Sequence, residues 1–388
     1  MLKLHFHGAA RTVTGSNYMI ETEAARVLID CGMFQGAKTE TELNYRAFPY
    51  EPRKITALVL THAHIDHTGL VPKLVKHGFA GLIHASEGTR DLCSIMLPDS
   101  GFIQETEVKK LNERNAKRGL PEVEPMYTMD DAMAALNQFE TQAMETWFSP
   151  AAGIRMRYWN AGHLLGSASI EVEVEQQGKP ATRLLFSGDI GPDHKLLERD
   201  PEAPQGFDYV ICESTYGGRD RFERAHDKRL SLLAGELTEA AKRGGVMLIP
   251  SFAVERTQEV VTDLISVMER GLAPKCNIFI DSPLANKATA VFRKHAKSLE
   301  WWRGAGARLQ FAAGEVNREC RGFQGAEPLQ RLPHRHRRLR HGGSGPHPPS
   351  SAQPPVAALD NRVAGGLPGQ GVAGLAAGGR CQARHHHG

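Results

Sequence analysis

The sequence predicts an α/β protein in two parts: a sandwich of sheets whose chemistry lies along one rim, then a second unit built on a parallel sheet. Short apolar runs stop abruptly at polar residues beside glycine, as strands do when they leave a core for a loop. From residue 208 apolar runs alternate with helical stretches in the order strand, helix, strand. Beyond residue 314 this patterning ends.

The first strands are Leu2-Lys3-Leu4-His5-Phe6 and Asn17-Tyr18-Met19-Ile20-Glu21, with the period of half-buried strands. Val27-Leu28-Ile29-Asp30-Cys31-Gly32 reads as a buried strand ending in a carboxylate, and Gly8, Gly15 and Gly32 mark turns. Ile55-Thr56-Ala57-Leu58-Val59-Leu60 is another buried strand and runs straight into Thr61-His62-Ala63-His64-Ile65-Asp66-His67. A helix follows from Gly69 to His77 and a strand at Leu82-Ile83-His84. Residues 87–120 are helical and charged, with Lys109, Lys110, Arg114, Lys117 and Arg118 grouped on what is ordinarily a solvated face; a polyanion contact is the alternative. The strand 154–159 leads to Asn160-Ala161-Gly162-His163, and the strand 183–186 leads to Ser187-Gly188-Asp189. Each sets one metal-grade side chain at a strand end, where a rigid sheet holds a loop that carries chemistry.

Three imidazoles and a carboxylate within six residues are hard to explain by packing. Imidazole suits zinc, and a neighbouring carboxylate can hold a second cation. A two-metal hydrolytic site needs about six ligands around ions about 3.5–4 Å apart. The expected set is His62, His64 and His163 on one zinc, Asp66 and His67 on the other, and Asp189 bridging the two. Asp30 would orient a ligand imidazole or a loop. Such a site makes hydroxide from water near neutral pH and stabilises charge on a phosphoryl group, with Asp66 orienting the nucleophile. Alone, His163 is a structural histidine by default and Asp189 a turn aspartate.

The bulk numbers agree with a non-membrane protein. No apolar run approaches the roughly 20 residues that span a bilayer, and residues 1–7 lack the apolar core of a secretion signal. The six cysteines carry no CxxC pairing, which predicts a reducing, cytoplasmic setting. Net charge is +3, but residues 315–388 hold ten Arg and four acidic residues, so the body is slightly acidic. Any nucleic-acid role must therefore rest on the site.

The order Asp30, His62-x-His64-x-Asp66-His67, His163, Asp189 resembles the motifs of the metallo-β-lactamase superfamily. Cys212-Glu213-Ser214-Thr215-Tyr216-Gly217 resembles the first motif of its β-CASP subgroup, the RNA- and DNA-processing nucleases. Residues 245–258 and Asp281-Ser282-Pro283-Leu284-Ala285 resemble that subgroup's inserted domain, and the opening 8–16 resembles its RNA-directed bacterial and archaeal branch. The likeness covers about residues 1–310. It implies an αββα sandwich at 1–207 with metals at one edge, an inserted parallel α/β domain, incomplete, at 208–314, and a zinc-dependent ribonuclease acting on RNA, with a homodimer as candidate partner. It also implies that Glu213 supports catalysis by contacting a later histidine; Glu255 stands where relatives usually have glycine.

Residues 315–388 contain no Ile, Lys, Met, Thr, Trp or Tyr, and such a composition does not bury enough surface to fold. Read directly, they predict a disordered basic tail. Back-translating Pro333–His341 and reading another phase permits H-I-V-I-A-A-S-G-M, like the C-terminal pieces of the family. A frameshift near 314–320 is therefore expected, with loss of the last histidine ligand of the second zinc and of the partner of Glu213. Weak second-metal binding and impaired turnover follow. The rival readings are a DNA-directed β-CASP nuclease, a small-molecule metallo-hydrolase and an inactive RNA-binding scaffold.

Overall fold

The structure is a computed structural model that describes residues 1–219, 226–244, 246–296 and 372–377. The expected reading-frame change, and the rest of the tail with it, lie outside the described residues.

Two sheets form the first unit. One runs in chain order through β1 (Lys3–Phe6), β2 (Tyr18–Glu21), β3 (Arg26–Ile29), β4 (Ala57–Val59), β5 (Leu82–Ala85) and β6 (Phe139–Thr141). Its first two pairings are antiparallel and its last three parallel. The other contains β7 (Phe148–Ala151), β8 (Ile154–Asn160), β9 (Ala168–Gln176), β10 (Lys179–Phe186) and β11 (Tyr209–Ile211), in the spatial order β11-β10-β9-β8-β7. Alternation in β9 sends Ile170, Val172 and Val174 inward, where they meet Val27, Ile29 and Val59 across the sandwich. On its other face Glu171, fully buried, accepts hydrogen bonds from Arg157, Trp159 and Arg183.

The helices α1 (Lys38–Thr41), α2 (Ile65–Thr68), α3 (Val71–Lys76), α4 (Glu87–Ala116) and α5 (Met129–Ala135) belong to this unit. Leu74, Leu92 and Leu97 from α3 and α4 join Leu28, Leu58 and Leu60 in a second core. The alternate residues of β3 and β4 thus face two cores, which is why both strands read as unbroken apolar runs. The basic end of α4, including Lys109, Lys110 and Arg114, is exposed, as a solvated face should be.

The second unit holds α6 (His226–Arg243), β12 (Met247–Phe252), α7 (Arg256–Glu269), β13 (Ile278–Asp281), α8 (Pro283–Lys294) and β14 (Val372–Ala377). Two details differ from expectation. The strand expected at 208–212 to open this unit instead completes the second sheet of the sandwich, parallel to β10 with Leu184 opposite Tyr209. Its backbone groups find partners there, and a three-residue strand carries no local signal of which sheet it joins. The expected parallel pairing of β12 and β13 is also interrupted, because β14 lies between them and is antiparallel to both. Residues 372–377, from the tail expected to be disordered, are free of charge and proline, so each can take part in the backbone ladder although glycine and alanine are weak strand formers.

The rim is built by stitching β3 to α2. Cys31 N donates to His67 O at 2.8 Å, Met33 N to Ile65 O at 3.0 Å, and Ser16 N to Asp66 O at 2.8 Å. Gly32 sits against that crossing, and a Cβ there would lie 1.6 Å from Asp66 O. Gly32→Ala is therefore expected to destabilise the fold by about 3 kcal/mol, read as a lowered urea midpoint; an unchanged midpoint would contradict this packing.

Candidate metal centre

At the exit of β4 the backbone turns into α2, and His62, His64 and His67 point to one place on the rim. His163, on the loop after β8, and Asp189, on the loop after β10, come to meet them. His62 Nε2 lies 3.1 Å from His64 Nδ1, and His163 Nε2 lies 3.2 Å from the same atom. Asp189 Oδ2 is 3.8 Å from His62 Nε2 and 3.6 Å from His163 Nε2. One donor atom from each of these four residues lies within 4.8 Å of every other. Burial, reinforced by the neighbouring imidazoles, lowers the pKa of His62 well below its ordinary value and that of His163 to about 3; burial also lowers His64. Burial thus favours the neutral form of all three rings, the form in which imidazole binds a metal. Such a donor set is suited to a cation and hard to account for without one.

His67 stands on the far side of Asp189. Its Nε2 is 3.2 Å from Asp189 Oδ1 and its Nδ1 is 2.7 Å from Asp30 Oδ2. Burial opposes charge on this ring, but Asp30 and Asp189 together hold its pKa well above the ordinary value. The Asp189 carboxyl is half-buried, which disfavours its charge, yet the hydrogen bond and charge of His67 hold its pKa below the ordinary carboxylate value.

Asp30 stands behind the histidine cluster. Its carboxylate accepts from Ser16 Oγ at 3.0 Å, from Thr61 N at 2.8 Å and from the Thr61 hydroxyl at 2.9 Å, as well as facing His67. Thr61, absent from the expected set, turns out to be the hub. Its Oγ1 lies 3.1 Å from His62 Nδ1, so a proton on Nδ1 leaves Nε2 free to face the site. A threonine before the histidine run carries no spacing signal, and only the convergence of three elements reveals it.

Asp66 is half-buried in the first turn of α2. It lies outside the four-donor group, although its charge acts on both His64 and His67. Glu213 follows β11, and its carboxylate accepts from Ile190 N at 3.1 Å and Thr215 N at 3.0 Å. It thereby grips the residue next to Asp189. The expected histidine partner of Glu213 lies outside the described residues. A cavity of 290 Å³ opens on this side, with Arg11, Asp30, His67, Asp189 and Glu213 in its wall.

The His163 loop is held from several directions. His163 N and Leu164 N donate to Ser167 Oγ at 2.9 and 3.0 Å. Ser86, which caps α4, donates to Gly166 O at 2.5 Å, and Thr89 Oγ1 donates to the same oxygen at 2.9 Å. Gly191 N donates to Ala161 O at 2.8 Å, tying the His163 and Asp189 loops together.

Residues 10–103 match the profile of the Metallo-beta-lactamase superfamily. The two-sheet sandwich and the rim of histidines agree with that match, a likeness that implies binding of divalent metal. Ribonuclease TTHA0252 of Thermus thermophilus is 34% identical over 285 residues, covering 74% of this chain and 59% of that protein. Transcription termination factor FttA of Methanosarcina mazei is 30% identical over 297 residues, covering 75% of this chain and 43% of the relative. An RNase J-like protein of Methanocaldococcus jannaschii is 30% identical over 299 residues, covering 76% and 62%. The chain thus spans less than two thirds of each of these relatives. Among the described residues no helix is long and apolar enough to cross a membrane.

Asp30→Asn keeps the size of the side chain but removes its charge from His67 and Thr61. It is expected to weaken divalent-metal binding about 10- to 100-fold, measured by chelator competition; binding equal to that of the parent would show that this network does not orient the ligands.

Proposed function

We propose that this protein is a zinc-dependent hydrolase that cleaves RNA phosphodiester bonds. The observation that carries the reading is the four-donor group of His62, His64, His163 and Asp189, in a chain whose relatives are named ribonuclease and transcription termination factor. Donors about 2.0–2.1 Å from a tetrahedral zinc stand about 3.3 Å apart. The donor contacts of 3.1, 3.2, 3.6 and 3.8 Å support that geometry.

In this reading His62, His64, His163 and Asp189 would hold one ion, and Asp66 and His67, on the other side of Asp189, would contribute to a second position. Bound zinc supplies Lewis acidity toward a phosphoryl oxygen and acidifies water. The protein's own part is positioning. Asp30 and Thr61 set the ring planes of His62 and His67. Asp66, at the site but outside the four-donor group, orients the attacking water. Glu213 fixes the Asp189 loop through Ile190 N and presents its carboxylate to the cavity in which substrate would sit. The part up to Ile211, whose last strand completes the second sheet, would act as the metallo-β-lactamase domain and the part that follows as the β-CASP domain, with RNA in the cleft between them. A cytoplasmic location suits this role, and a homodimer is the partner state proposed.

Two measurements test the reading. The chain with added zinc is expected to cleave single-stranded RNA in preference to single-stranded DNA or a thioester, and His64→Ala or chelation is expected to lower the rate at least about 100-fold. Preference for DNA or thioester would select another member of the superfamily, and chelator-insensitive cleavage would end the metal assignment. Metal analysis is expected to find one tightly held ion per chain and a second held at least about tenfold more weakly, because the second position draws on Asp66, His67 and the shared Asp189 among the described residues. Two ions of equal affinity would refute that asymmetry.

A further inference from the structure

Lys195 and Glu255 come from opposite parts of the molecule. Lys195 lies on the segment after the Asp189 loop, and Glu255 lies between β12 and α7 of the second unit. Their side chains are ion-paired and almost wholly buried, at 11% and 12% exposure. The same Lys195 ammonium donates to the backbone carbonyl of His163. A single cation therefore bridges the backbone of a histidine in the four-donor group and a carboxylate of the other unit.

The backbone at Glu255 shows that this contact is not incidental. Its φ of 68° and ψ of −63° put it in the left-handed half of the map, where side chains are strained. Arg256 N donates to Val254 O at 2.9 Å, closing a three-residue turn with Glu255 at its apex. Glycine would take that conformation without strain. A buried acid has been placed there instead, and its carboxylate is spent on Lys195. Glu198 lies close by, with Oε1 buried and without a hydrogen-bond partner among the described residues. The charge of Glu255 acts on Glu198, and that of Glu259 acts on Glu255 alongside Lys195. Lys195 thus sits among several carboxylates yet engages the one on the strained turn. Burial of an ion pair costs enough that it is weak evidence for stability alone, and a geometric role explains its retention better.

We infer that Lys195 and Glu255 are positioning residues, a tether through which the second unit sets the backbone of His163 and hence the metal centre. The inference rests on the metal-centre reading above. It goes further by coupling the placement of the β12–α7 turn to metal affinity: when the turn shifts, the His163 carbonyl loses its fixed donor.

The test uses the full chain with cobalt(II) as the metal probe, followed by its visible spectrum under chelator competition. Glu255→Gly, Lys195→Met and the double variant are compared with the parent. Amide hydrogen exchange over residues 160–167 is measured in the metal-free state. Glu255→Gly is expected to lower cobalt affinity about tenfold, with a smaller fall in melting temperature than Lys195→Met because relief of turn strain offsets part of the cost of leaving Lys195 without this carboxylate. Lys195→Met is expected to lower affinity similarly, and the double variant to be no worse than the weaker single. Exchange over 160–167 is expected to quicken in all three. Parent-like affinity and exchange in Glu255→Gly, additive losses in the double variant, or affinity that falls only in step with melting temperature would each overturn the tether. If Lys195→Met does not fold, Glu255→Gly decides alone. A parent chain that takes up no cobalt overturns the metal-centre reading, and exchange in the metal-free protein then judges the tether separately.

Discussion

Asp30 leaves β3 with a φ of 59°, a conformation that aspartate tolerates better than most residues. From there its buried carboxylate accepts from Ser16 and from both the backbone and hydroxyl of Thr61, and it faces His67 at 2.7 Å. A charge at 1% exposure persists only when it is this well partnered. Thr61 carries the constraint on to His62 and His67 carries it on to Asp189, so the facing nitrogens and carboxylate are aligned by one buried acid.

Backbone does much of the remaining work. The loops of Asp30, His67, His163 and Asp189 cross at close range and exchange main-chain hydrogen bonds, which a side chain at the crossing would prevent. Gly191 shows the tolerance involved: a Cβ there would lie 1.7 Å from Gly162 O. Two sheets hold the strand ends, and the long helix α4 presses its capped start onto Gly166. Rigid elements thus set the positions, and short loops carry the donors.

Ionic contacts join the two units. Besides Lys195 and Glu255, the buried Asp91 on α4 receives the exposed Lys294 at 2.6 Å and faces His295 at 2.7 Å at the end of α8. Such contacts favour one register, because a slip takes the buried Asp91 away from its partners. That is a physical route by which the second unit can influence a centre made almost wholly by the first.

Much was readable from local pattern. The apolar runs at 27–29 and 57–59 are strands because both faces are buried, and the histidine run after the second is a metal motif because imidazoles at that spacing, on a strand-to-helix turn, can share an ion. The identities of His163 and Asp189 were legible through their flanking motifs. Local pattern could not reveal which sheet takes Tyr209–Ile211, that Val372–Ala377 separates β12 from β13, that Thr61 is the hub, or that Lys195 meets Glu255. Periodicity and composition are properties of neighbours in the chain, so they determine which segments become strands and helices and which residue types can bind metal. Distances between segments far apart in the chain depend on how sheets stack and loops cross, and only the folded protein decides them.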